Sequence, residues 1–377
     1  LYRSPSGRYG LVEPHCPHRR AGLVNGYPED DGIRCSYHGW KFGFDGECLA
    51  RPYEDTVAPS ERGRERICAL SYRAEARAGL VWAYLGPDPA PLVPNWEPFT
   101  FTDCFRQILF HRVDCNWLQC QENSIDPVHF EWLHNNWLPG RRGDTERYSP
   151  SHVRLGFDEW AHGFAYRRLH DGEDETSDAW TTGRLCIMPN LFAPLHLEWR
   201  VPVDDETTLS VVWVYDKVPD ELGPFHQDVV PYWWGRTHDE QGRPITSHVL
   251  NQDVLSWQGQ GRIADRTKEH LGRSDRGVQL FRNRLIEDME RVGRGEDPSG
   301  LVRDEAANRC IVFPGSLAAR TQQVATVAAV RARVEALQRI LPSLGGDPFF
   351  LMAGQPEPIR RAWEDAMGLT GRTGATS

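Results

Sequence analysis

The chain has 377 residues, 40% hydrophobic and 25% charged, which is room for about two domains with a sizeable core. A formal net charge of −10 at pH 7 excludes the basic footprint that a nucleic-acid or anionic-membrane surface requires. No apolar run reaches the roughly 18 residues that span a bilayer, and nine scattered cysteines, an odd number, do not make a disulfide framework, so a reducing, cytoplasmic setting is expected.

Residues 1–105 read as a small all-β unit. Short apolar runs ("GLVE", "GIRC", "WKFGF", "GLVWAYLG") are bounded by turn residues such as "PEDDG" and "FDGE". "GPDPAPLVPNWEP", 86–98, is a Pro-rich connector. From 106 to 365 the pattern is α+β. Long helical character in "DCNWLQCQENSIDPVHFEWLHNNW" is followed by the strand-like runs "HVRLGFD", "GFAYRRLH", "RLCIMPN", "LHLEWRVP" and "TLSVVWVYDKV". Helices return in "SDRGVQLFRNRLIEDMERV" and "VRARVEALQRIL". Strands framed by helices imply an antiparallel sheet. The tail, 366–377, is expected to fray.

Within the first unit, "CPHRRAGLVNGYPEDDGIRCSYHGW" places Cys16 and His18, then Cys35 and His38, in two tight pairs. Thiolates and imidazoles are ligands for zinc or for iron–sulfur clusters. Zinc would take all four in one tetrahedron. A [2Fe–2S] cluster of the Rieske type would divide them, two Cys on one iron and two His on the other. "CPHR" with "CSYHGWKF" resembles the Rieske signature of aromatic ring-hydroxylating oxygenases. That resemblance implies that Cys16, His18, Cys35 and His38 hold the cluster. It also implies that a front segment precedes this sequence.

A Rieske unit alone would suffice for an electron carrier, and the remaining chain needs its own account. "ENSIDPVHFEWLH" supplies one, with Asn123, Asp126, His129 and His134. Five residues on an ideal helix turn roughly 500°, so the two histidines point about 140° apart. One ion can take both only across a helix end, a bend or a π-type irregularity. Asp126-Pro127 suits the start of such a break, Asp as N-cap and Pro as first helical residue. Two histidines and a carboxylate form the facial triad of non-haem Fe(II) oxygenases. Candidates for the carboxylate are Asp253, Asp265, Glu269 and Asp275. "GQGRIA", 259–264, matches a dinucleotide fingerprint, but it follows a helical stretch where the fingerprint needs a strand.

The resemblance covers nearly the whole chain and is nearest to the phthalate-dioxygenase-like group of Rieske oxygenases, as the alpha (terminal oxygenase) subunit. It implies a Rieske β domain followed by a helix-grip (Bet v1-like, START-like) domain. It implies a [2Fe–2S] cluster, mononuclear Fe(II) held by His129, His134 and Asp253, and hydroxylation or O-demethylation of an aromatic compound with O2. It gives Asp126 an orienting role toward a cluster histidine and an iron histidine, with Asn123 near the iron but not on it. Electrons come from a separate NAD(P)H-dependent reductase or ferredoxin, and the subunits form a homo-trimer in which the cluster of one serves the iron of its neighbour. The alternative is a Rieske carrier or zinc-stabilised binding module without turnover. Cys186, Asn190 and His196 are candidates for the substrate pocket, and fourteen tryptophans suit either an aromatic pocket or ordinary core.

Overall fold

The computed structural model describes residues 1–59, 63–144, 146, 148, 152–246, 248–315, 326–340 and 355–370. Of the tail expected to fray, 371–377 lie outside the described residues. The chain divides into two compact units, Leu1–Asn95 with Val302–Arg309, and Trp96–Leu301 with Cys310–Ser377.

The first unit holds two four-stranded antiparallel sheets. One has the order β1 (Tyr2–Arg3), β2 (Tyr9–Val12), β7 (Ser71–Arg77), β8 (Leu80–Tyr84). The other runs β3 (Tyr27–Glu29), β4 (Gly32–Arg34), β5 (Lys41–Gly43), β6 (Cys48–Ala50), followed by the short helix α1 (Pro52–Val57). Leu23, Ile33, Trp40 and Phe42 form its core together with Cys16 and Cys35. Residues 302–309 are tied in by Asn308, which accepts from the Asn95 amide at 2.8 Å and donates to the Val93 carbonyl at 3.0 Å.

The second unit is built on an eight-stranded sheet. Its order is β10 (His152–Trp160), β11 (Gly163–His170), β12 (Arg184–Ile187), β13 (Leu191–Ala193), β14 (Leu197–Asp204), β15 (Thr207–Lys217), β9 (Cys104–Val113), β16 (Tyr232–Trp234). All neighbours are antiparallel except β16, which runs parallel to β9. The expected division at residue 105 falls inside β9, a strand with no clean alternation because nearly all its positions are buried.

The stretch expected to have long helical character is interrupted. Helix α2 (Trp117–Asn123) stops, and a new start follows at Asp126, whose carboxylate accepts from the Val128 amide at 2.9 Å. Pro127 has no N–H to continue a ladder, and the Asp cap satisfies the next donor. A π-helical turn (Phe130–Asn135) and α3 (Trp137–Arg142) complete the segment. After the small α4 (Asp178–Thr181) come α5 (Val249–Gly259) and α6 (Arg276–Gly293). Then α7 (Val327–Ile340) and α8 (Glu357–Ala366) place Val330 and the adjoining Met367 against Phe105 and Val218. Helix α6 buries Gly277, Val278 and Phe281 against Phe164, Tyr166 and Met188 of the sheet side. A Cβ on Gly277 would lie 2.6 Å from the Ile125 carbonyl and 2.4 Å from Phe157, so glycine is required where α6 meets the chain just ahead of Asp126.

Candidate functional site

The two cysteine loops of the first unit are built alike. Cys16 N–H donates to the Ala21 carbonyl at 2.8 Å, and Arg20 N–H to the Cys16 carbonyl at 2.9 Å. Cys35 N–H donates to Trp40 at 2.8 Å, and Gly39 N–H to Cys35 at 3.0 Å. Each loop is closed by a β-bridge one residue before the cysteine and six after it, His15 with Gly22 and Arg34 with Lys41. Each turns on a left-handed residue at the same place, Arg20 at φ 60° and Gly39 at φ 75°. A non-glycine residue there costs about 1 kcal/mol; Arg20 also bonds Glu13 at 2.6 Å.

This duplication presents Cys16 and Cys35, 1% and 3% exposed, from two tips side by side. The rings of His18 and His38 meet edge-on with centroids 4.8 Å apart, and His18 stacks flat on Trp40 at 4.3 Å. Burial pushes the Cys16 thiol up to about 11, with Cys35 beside it adding to the rise. Thiols so placed become thiolates only against a cation, and the donor set of two buried thiols and two imidazoles fits a [2Fe–2S] cluster.

In the second unit, α2, the π-turn and α5 meet through buried polar side chains. Gln119, Gln121 and Glu122 face inward from α2, and Asn251, Gln252 and Asp253 from α5. Gln119 donates to the carbonyls of Trp257 at 2.7 Å and Gly261 at 2.8 Å, and accepts from the Ala264 amide at 2.9 Å. The "GQGRIA" stretch is thus a loop that fastens α2 to α5.

The π-turn solves the five-residue problem of the histidines. Its widened ring is closed by Asn136 N–H donating to the Glu131 carbonyl, five residues back, at 3.0 Å. One such turn brings residues five apart to the same face. The Nε2 atoms of His129 and His134 lie 3.7 and 3.3 Å from Asp253 Oδ1. Ligand atoms of the three side chains all lie within 4.8 Å of one another. Both Nδ1 atoms are otherwise engaged: His129 donates to the Asp126 carbonyl at 2.6 Å, and His134 to Gln252 Oε1 at 2.8 Å. Gln252 is itself oriented by donating to the Thr246 carbonyl at 3.0 Å. With Nδ1–H committed, each Nε2 is the atom left facing the shared centre, the one that would ligate a metal. Burial lowers His129. Burial also acts to lower His134, but the hydrogen bond and charge of Asp253 overcome it and the group is raised. Two imidazoles and one carboxylate fit Fe(II) with open positions.

Asp126 reaches His129 through its carbonyl; its carboxylate caps the turn and lies 3.8 Å from His129 Nδ1. Asn123 donates to Asp253 Oδ1 at 3.4 Å. Glu131 turns away from the centre and accepts from His152 N and Nδ1, each at 2.9 Å. Asp265, Glu269 and Asp275 lie elsewhere in structural roles, pairing with Lys268, pairing with Arg282 and bonding the Gly272 amide.

A cavity of about 120 Å³ opens on the triad and is walled by Phe130, Phe192, Leu250 and His196. Of the three pocket candidates only His196 lines it. Cys186 is fully buried against Gln121, and Asn190 donates to the Arg200 carbonyl. Glu198 and Arg200, which also line the cavity, were missed; the alternation His196-x-Glu198-x-Arg200 at the start of β14 was the available signal. Gln252 was legible only as the neighbour of Asp253. Gln252→Leu removes the acceptor that fixes His134, and iron affinity should fall about 10–100-fold. Iron retained after dialysis against a chelator, at an unchanged cluster spectrum, measures this; unchanged retention would mean that His134 needs no such partner.

A family model described as "Rieske [2Fe-2S] domain" matches residues 1–61, and one described as "LigXa C-terminal domain like" matches residues 201–339. The chain is 45% identical over 371 residues to the 5,5'-dehydrodivanillate O-demethylase oxygenase subunit of Sphingobium sp. (strain NBRC 103272 / SYK-6), across 98% of this chain and 86% of that one. It is 28% identical to the phthalate 4,5-dioxygenase oxygenase subunit of Pseudomonas putida, across 83% of this chain and 80% of that one. Among solved structures, Pseudomonas putida CBB5 NdmA shares the fold, with a TM-score of 0.51 at 18% identity over 76% of this chain and 79% of that one.

Proposed function

The chain belongs to the Rieske non-haem iron oxygenases as an oxygenase subunit acting on an aromatic compound with O2 and electrons from a separate reductase or ferredoxin, and from that premise we propose that its reaction is O-demethylation of a methoxylated aromatic acid. The alternatives of a carrier or a zinc module without turnover are set aside, because the relatives matched along most of the chain are oxygenase subunits. Cys16, His18, Cys35 and His38 hold the cluster, and His129, His134 and Asp253 hold the ferrous ion. When bound, these groups supply single electrons and a place where O2 is reduced.

The observation that carries the reading is that the triad opens on a small aromatic-walled cavity. A cavity of about 150 Å³ takes one benzene ring, and the 120 Å³ here is of that order. Leu195 and Val249 line the same cavity and are 45% and 43% exposed. A second ring of a biaryl acid would rest against them while the first sits inside. Asn123 and Gln252 keep the ligands in position; Phe130 and Phe192 exclude water around the ring. The balance is Ar–O–CH3 + O2 + two electrons + two protons giving Ar–OH, formaldehyde and water. The relative named as an O-demethylase supports demethylation over ring dioxygenation.

We take the electron donor to be an NAD(P)H-dependent reductase and the assembly to be a homo-trimer, since a head-to-tail contact between identical chains either closes into a ring or polymerises. Among the described residues no helix is long and apolar enough to cross a membrane. We take the setting to be a reducing cytoplasm, since nine dispersed cysteines, an odd number, make no disulfide framework.

The test is turnover of 5,5'-dehydrodivanillate, vanillate and phthalate by the purified protein with a Rieske-oxygenase reductase, its assembly read by light scattering. One formaldehyde per O2, with a product lacking one CH2, is expected from the methoxylated acids. A cis-dihydrodiol without formaldehyde would reject demethylation while leaving the family intact.

A further inference from the structure

Beside the triad, His196, Glu198 and Arg200 occupy alternate positions and so share one face of the chain entering β14. Glu198 and Arg200 are 1% and 2% exposed. Arg200 Nη2 lies against Glu198 Oε2, and His196 Nε2 against Glu198 Oε1. Arg200 also donates to Ser210 Oγ at 3.0 Å and sits over the Trp257 ring at 4.5 Å. The carboxylate is therefore already matched by a fixed guanidinium.

That balance decides what His196 does. Glu198 Oε1 can only accept, so His196 donates Nε2–H to it and Nδ1 is the acceptor left on the ring. Among the described residues Nδ1 has no hydrogen-bond partner, and the ring lines the cavity with Phe130, Phe192 and the triad. An acceptor held rigidly in the cavity wall selects a ligand carrying a donor, because any other ligand leaves it desolvated and unpaired.

We infer that His196 is a specificity-determining residue: its Nδ1 accepts the O–H of a free phenolic hydroxyl on the ring that sits at the triad, so the substrate class is a methoxylated phenol and not a simple methoxyarene. The inference rests on the demethylation reading, and the two fail separately.

The experiment compares 5,5'-dehydrodivanillate with the analogue bearing hydrogen in place of each phenolic hydroxyl, which removes the donor without adding bulk. Binding to the anaerobic holoenzyme is measured by equilibrium dialysis, and formaldehyde release by turnover with reductase. Wild type should bind the phenol about tenfold or more tighter than the deoxy compound. His196→Phe keeps a ring but no acceptor, and the preference should fall to within about twofold. His196→Gln offers an amide oxygen and should keep part of it. Unchanged cluster spectrum and iron content show that each variant is folded. An equal loss of affinity for both compounds in His196→Phe makes His196 mere wall and overturns the proposal. So does a wild type without preference, or a His196→Phe defect that follows the substrate carboxylate. If the phenol binds with the His196-dependent preference but yields no formaldehyde, the demethylation reading falls and the His196 assignment stands.

Discussion

Asp253→Ala should lose the mononuclear iron and all measurable turnover while keeping the red-brown spectrum of the cluster. Asp253 is the one anion of its triad, 3.3 Å from His134 Nε2 and 3.7 Å from His129 Nε2. Without it two neutral imidazoles face a divalent ion with no charge to match it, and facial coordination drops from three protein ligands to two. The scaffold around them should stand. Gln252 still accepts from His134, the Asp126 carbonyl still accepts from His129, and Gln119 still fastens α2 to the loop after α5. Iron should therefore fall from about three per chain to about two, the cluster accounting for the remainder. Asp265→Ala is the control, since Asp265 only caps an exposed turn through Thr267 and pairs with Lys268. Loss of iron in Asp265→Ala with retention in Asp253→Ala would reverse the ligand assignment.

What the sequence made legible divides along a physical line. Ligand spacing is local, so Cys16-x-His18 and Cys35-x-x-His38 stood out as two donor pairs, with zinc and a cluster both open until the family resemblance was drawn. Helix arithmetic went one step further: the five-position step from His129 to His134 demanded a break or a π-turn, and the chain has a cap at Asp126 and a π-turn after it. Sheet membership was harder. "GFAYRRLH" coincides with β11, but β9 lies between β15 and β16 with polar residues on an almost wholly buried strand, and the usual alternation is absent. The likeness of the two cysteine loops was hidden because one turns on glycine and the other on Arg20, a residue whose left-handed backbone no propensity announces. Long-range partners were the least legible of all. Nothing near Gln252 in sequence says that its amide oxygen takes the His134 proton from 118 positions away.

The duplicated loops make a second strong prediction, that Cys35→Ser abolishes the visible spectrum and turnover together. A serine hydroxyl is a neutral, hard oxygen at neutral pH, and a buried site offers it no help toward the alkoxide. The loop itself should keep its shape, because it is closed by main-chain bonds between Cys35 and Trp40 and between Gly39 and Cys35, none of which uses the sulfur. The defect should therefore be confined to the first unit: iron near one per chain, held by His129, His134 and Asp253, in place of three. Since Cys16 sits in the same loop geometry, Cys16→Ser should give the same phenotype, which a ligand set of unlike members would not. Melting should also fall, because metal binding to the folded state alone adds to stability by mass action. Cys48→Ser is the comparison that separates ligation from packing. Cys48 belongs to the same core and is 7% exposed, yet it lies outside both ligand loops. Replacing it should lower stability and leave the spectrum in place. An intact spectrum in Cys35→Ser, or its loss in Cys48→Ser at equal folding, would remove Cys35 from the cluster.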